Sequence, residues 1–149
     1  MEREASAPAP LWTIAVLALA PFPAAAALYA YGPARWAPVA LTALLFWSST
    51  VLSFLGGVRW GLESARPAPR WTRLTTSVIS SVAAWALLMS RGRLGAVVVI
   101  GGFMAAFILQ WLFDHTAPDV PSRYPRLSTL LAAGACVSLA VAMEQALRM

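Results

Sequence analysis

Residues 94–113 read LGAVVVIGGFMAAFILQWLF, a stretch with no charged side chain and a single amide, Gln110. A helix rising ~1.5 Å per residue needs about 20 residues to cross the ~30 Å hydrocarbon core of a bilayer. A surface helix of a soluble protein keeps a polar face for water, and this one has none to offer. Four further stretches share its character, at residues 11–31, 37–62, 71–90 and 127–146. The expected fold is therefore all-α: a polytopic integral membrane protein, one bundle of five transmembrane helices filling a single membrane domain over residues 1–149. A polar, Pro- and Ala-rich segment, MEREASAPAP at residues 1–10, reads as a flexible N-terminal tail.

Composition agrees with that pattern. The chain is 60% hydrophobic and 11% charged, where soluble domains are nearer half and a quarter. A mean hydropathy of +0.70 excludes a disordered chain, which needs low hydrophobicity and high charge. Residues 11–20 followed by the Ala24–Ala27 tract resemble a secretory leader, but Glu2 and Glu4 offset Arg3 and the apolar run continues past Ala27. The segment is read as a retained span. Pro21-Phe22-Pro23 falls near its middle, where the lost amide donors predict a kink.

The charges narrow the chemistry. All basic side chains are Arg, and without Lys there is neither a Walker A phosphate loop nor a Schiff base. One His and one Cys, His115 and Cys136, cannot make a zinc site of the usual three or four ligands, and nothing pairs with His115 to ligate haem. No GxSxG, HExxH or GxGxxG occurs. The reading is non-enzymatic, with no cofactor implied. A net charge of +5 would suggest nucleic acid in a soluble protein, but here the arginines flank apolar spans. There they serve topology and anionic headgroups, so membrane lipids and protein partners within the membrane are the expected partners.

Five spans put the N-terminus, the loop after span 2 and the loop after span 4 on one side. That side holds Arg3, Arg59, Arg66, Arg70, Arg73, Arg123 and Arg126; Arg35, Arg91, Arg93 and Arg148 lie on the other. The positive-inside rule then places the N-terminus in the cytoplasm of a bacterial inner (plasma) membrane. Trp12, Trp36, Trp60, Trp71 and Trp111 sit near span ends as an aromatic belt, while Trp47 and Trp85, well inside spans, are read as packing residues.

Two patterns invite a site. Ser49, Ser53, Gly57 and Gly61 recur every four residues with Gly56 beside them, a small-residue seam on which another helix can lie closely. Gly102 and Ala106 begin a stripe in span 4 that continues to Gln110 and Asp114, and Gly134, Ser138 and Ala142 form another in span 5. Spans 2 and 4 run in the same direction, so Arg59 and Asp114 lie at one membrane face. Trp60, Glu63, Arg73, Tyr124 and Arg126 gather there with them. Arg59 either snorkels to the interface or pairs with Asp114. The cluster is either ordinary interfacial polarity or a candidate polar site that includes Gln110. The functional expectation is an accessory, assembly or scaffold protein of a membrane complex. The alternative is a small transporter or a lipid- or quinone-binding protein that uses this site.

SFLGGVRWG at residues 53–61, Gln110 with Asp114, and Tyr124-Pro125-Arg126-Leu127 opening span 5 resemble domain-of-unknown-function family 3429, the transmembrane protein 69-like membrane proteins. The chain departs from that pattern at Arg123, where the family has an aromatic, at Ser128, where it has Arg, and near Ser80, where it favours Pro. The resemblance implies a multi-span protein of bacterial inner membranes or mitochondria and carries no established activity.

Overall fold

The computed structural model describes residues 9–116 and 123–149, with side chains from residue 126 onward in the second segment. Its helices are α1 (Ala9–Leu19), α2 (Pro21–Tyr31), α3 (Ala37–Ser64), α4 (Trp71–Ser90), α5 (Ala96–His115) and α6 (Arg123–Arg148), with a 3-10 turn at Ala34–Trp36. There is no strand among the described residues. Five segments are long and apolar enough to cross a membrane, α1 and α2 together forming the first. Of the segment read as a tail, Ala9 and Pro10 belong to α1, and residues 1–8 lie outside the described residues. Pro10 suits that place because the first helical N–H groups have no partner in any case. The last helix starts at Arg123, ahead of the expected residue 127.

The predicted kink separates α1 from α2 at Ala20. Pro21 and Pro23 carry no N–H, so the carbonyls of Leu17 and Leu19, four residues earlier, lose their helical donors. Across the break the Trp47 indole N–H of α3 donates to the Ala18 carbonyl at 2.8 Å. Unpaired backbone is costly in hydrocarbon, and this bond supplies a donor to the carbonyl that lies between the two the prolines orphan. Trp47 thus fastens the kink to its neighbour.

The helices close a ring: α2 lies between α3 and α6, α3 packs on α4, α4 on α5, and α5 on α6. Phe22, Leu44, Leu52, Phe103, Phe107 and Leu139 fill its centre. Phe22 meets Phe107 edge to face, with centroids 6.0 Å apart. α1 rests chiefly on α6, where Leu19 occupies the space a Gly134 side chain would need. Ser138 and Ala142 of the same stripe are buried.

Two packing expectations need correction. Gly57 and Gly61 point outward, and a Cβ at either would meet nothing within 4 Å among the described residues. The close seam of α3 is one residue earlier, along Ser48, Leu52 and Gly56, all buried. A Cβ on Gly56 would lie 2.5 Å from the Ser77 carbonyl oxygen of α4. Adjacent helical residues differ by ~100° in direction, and the buried Leu44, Leu45, Leu52 and Leu55 choose which glycine turns inward. Ser49 and Ser53 are only half-buried. On α5, Gly102 does meet a neighbour, the Leu87 side chain of α4, and Ala106 packs against the core. Trp85 is 63% exposed, so it faces the lipid rather than packing within the bundle.

Candidate functional site

The C-terminal ends of α3 and α5 meet the N-terminal ends of α4 and α6 at one face, and a chain of polar side chains crosses the bundle there. Asp114, on the last turn of α5, is 0% exposed. Its Oδ2 accepts the Ser128 hydroxyl of α6 at 2.6 Å, and its Oδ1 accepts the Gln110 amide Nε2–H at 3.1 Å. The Gln110 Oε1 in turn accepts the Ser80 hydroxyl of α4. Each donor polarises the next, and the carboxylate at the end receives the strengthened bonds.

Arg59 of α3 completes the arrangement. Its Nε lies 3.5 Å from Asp114 Oδ1, an ion pair between side chains 7% and 0% exposed. The guanidinium carbon also stands 5.6 Å from the centre of the Phe113 ring, within cation–π range. Its Nη1 is buried and has no hydrogen-bond partner among the described residues. That atom is the exception in a cluster otherwise well supplied with partners, since buried polar atoms are normally bonded.

The other expected members are used elsewhere. Glu63 is a loop clamp: its carboxylate accepts the Arg70 backbone N–H at 2.9 Å, the Arg70 Nε–H at 3.0 Å and the Nη2–H at 3.1 Å. Arg66 Nε approaches it at 3.5 Å. These bonds close the turn between α3 and α4 and keep Glu63 off the Arg59 network. Trp60 is half exposed and lines a lipid-facing groove with Trp71 and Val78. Arg73, half-buried, and Arg126, exposed, make no ion pair among the described residues. The Tyr124 side chain lies outside the described residues. His115 stacks on Trp111, at 4.9 Å between centroids, and the Trp111 N–H donates to Thr129 at 2.8 Å.

Ser80 and Ser128 are the members that sequence reasoning did not place in the site. Their only local signal is a hydroxyl inside an apolar span, which more often bonds its own helix carbonyl, as Ser48 does to Leu44 at 2.7 Å.

An apolar groove of about 590 Å³ lies between α1, α3 and α6, and none of Arg59, Ser80, Gln110, Asp114 and Ser128 is among its lining residues. Ile14 and Ala18 form its α1 wall, Phe54 and Val58 its α3 wall, and Leu127 and Leu131 its α6 wall.

Five spans, a proline-broken first helix and a buried polar chain joining four helices define a polytopic helical membrane protein with an internal polar cluster at one face. The family described as "Protein of unknown function (DUF3429)" matches residues 7–144, and the chain belongs to it. It is similar to transmembrane protein 69 of Xenopus tropicalis, 33% identical over 138 residues. That match takes in 89% of this chain and 53% of the frog protein, so the chain spans about half the length of that relative. No solved structure matches it.

Proposed function

We propose that this chain is a non-enzymatic membrane protein that holds a small amphipathic molecule of the lipid or quinone class at the cluster where α3 and α5 end. The observation that carries the reading is the buried Arg59 Nη1, left without a hydrogen-bond partner among the described residues. An unpaired polar atom in an apolar setting costs on the order of 1–3 kcal/mol, and a ligand oxygen would remove that cost. Two further features support it. The groove between α1, α3 and α6 has the size and apolar lining of small-molecule sites. The network fixes Asp114 from three helices, which keeps the cluster rigid before any ligand enters.

The seven arginines of the N-terminal face support an orientation with the cluster toward the cytoplasmic side of an inner membrane. Purification in a mild detergent, followed by solvent extraction and mass spectrometry, tests the function. A small amphiphile retained at about one per chain supports it. A stoichiometric protein partner with no small molecule favours an accessory or assembly role instead. For that role the outward face of α4, with only Ser77 and Ala84 buried, offers a broad apolar surface.

A further inference from the structure

We propose that two copies of this chain pair side by side in the membrane along the outward face of α4, with the Trp85 indole of each copy seated in the α4 groove of the other. The pairing goes beyond the ligand-holding reading and does not depend on it, because α4 forms no wall of the groove between α1, α3 and α6.

The exposure of α4 does not suit its composition. It is the least apolar of the five segments long enough to span a membrane, yet the smallest share of its residues is buried. Hydrocarbon favours the opposite, since the polar side chains of a span normally turn to the protein interior. Here Thr72 and Thr75 stand on the exposed side. With them stand Trp71, Val78, Ile79, Val82, Trp85 and Met89, which together expose on the order of 800 Å², about what each partner contributes to a standard protein interface.

The patch fits a second copy because it carries a knob and a hole at one depth. A groove of about 540 Å³ follows α4 from Trp71 to Ala86, flanked by Trp60 of α3. At its far end Ala83 and Ala86 leave room that larger side chains would fill. Trp85 borders that end without lining the groove, and it is 63% exposed. Two copies inserted in the same direction and related by a twofold axis along the membrane normal put equal residues at equal depths. The knob of each then faces the hole of the other, and the contact closes at two copies. Trp85 also lacks an acceptor: the Trp47 and Trp111 indoles are bonded, whereas its own N–H makes no hydrogen bond among the described residues. It lies five residues before the end of α4, ~7 Å inside the interface where tryptophan usually sits. A second copy brings Ser81, whose hydroxyl is also unbonded among the described residues, to within about one helical turn of that depth. Arg66 and Arg70, in the loop leading to α4, are both held by Glu63 and so do not face the other copy uncompensated.

The experiment oxidises the full chain mildly in the membranes of the expressing cell, in a Cys136→Ser background that removes its one thiol. Val82→Cys should then give a disulfide-linked dimer. Ile108→Cys, at similar depth on the exposed side of α5, should not. Light scattering on the detergent-purified wild-type chain should give twice the 15.9 kDa chain mass. Trp85→Ala should raise the dimer dissociation constant about tenfold or more, the scale expected for an aromatic anchor. Ala86→Trp, which fills the hole, should leave a monomer. Phe46→Ala, as exposed as Trp85 but on α3, should leave the dimer unchanged. A monomeric mass with no Val82→Cys dimer overturns the pairing. A dimer linked through Ile108→Cys and not through Val82→Cys overturns the α4 face. A Val82→Cys adduct with a different protein, in place of a dimer, overturns the second copy as occupant. An undiminished dimer in both Trp85→Ala and Ala86→Trp overturns the seating of Trp85.

Discussion

Removing the charge of Arg59 leaves Asp114 in a worse position than the reverse change leaves Arg59. Asp114 is 0% exposed, so its carboxylate cannot turn to water, and the Gln110 amide and Ser128 hydroxyl that bond it carry no charge to compensate it. At the observed 3.5 Å the Coulomb term is about 5 kcal/mol for an effective dielectric near 20. Most of that term offsets desolvation and does not appear as net stability, while removing one partner of a buried pair costs roughly 3–5 kcal/mol. Arg59→Gln should therefore destabilise by about 3 kcal/mol. Asp114→Asn should cost less, on the order of 1–2 kcal/mol, because a long arginine stem can carry its head to the interface. Two neutral partners should tolerate each other, giving a coupling of about 1–2 kcal/mol, above the ~0.6 kcal/mol average for polar contacts within membranes. The assay is a double-mutant cycle on unfolding in detergent micelles. Additive single effects, with a coupling below about 0.5 kcal/mol, would refute the argument and leave Arg59 as an interface anchor.

Three other substitutions test the packing. Gly56→Leu must displace the Ser77 backbone, so it should lower stability by about 2 kcal/mol or more, while the outward Gly57→Leu should stay close to the parent in thermal unfolding. Trp47→Phe removes the donor to the Ala18 carbonyl; a loss of about 1 kcal/mol is expected, with faster hydrogen exchange in residues 9–19 than in α4. Equal exchange in the two segments would show that the kink is held by other contacts. Glu63→Gln removes the charge that draws Arg66 and Arg70 together and should raise the rate of protease cleavage between α3 and α4, leaving the Arg59–Asp114 coupling unchanged.

The sequence alone determined the membrane class, the five spans and the kink, because each follows from local chemistry. Twenty apolar residues are a length, a proline is a missing donor, and neither depends on a neighbour. It also brought Arg59 and Asp114 to one face, since parallel spans carry their ends to the same side of the bilayer. Tertiary structure decided which side of each helix turns inward. In a span that is apolar all round, hydropathy carries no directional signal, so the four-residue repeat pointed to Gly57 for the seam, and only the packing of Ser77 of α4 shows that Gly56 holds it. The same holds for the polar chain. Ser80 and Ser128 lie far from Asp114 in sequence and carry no motif, and only the packing of α4 and α6 around α5 makes them members of one site. Glu63 went the other way: the loop after α3 returned Arg70, seven residues on, to it, a contact set by a turn geometry that charge spacing does not encode.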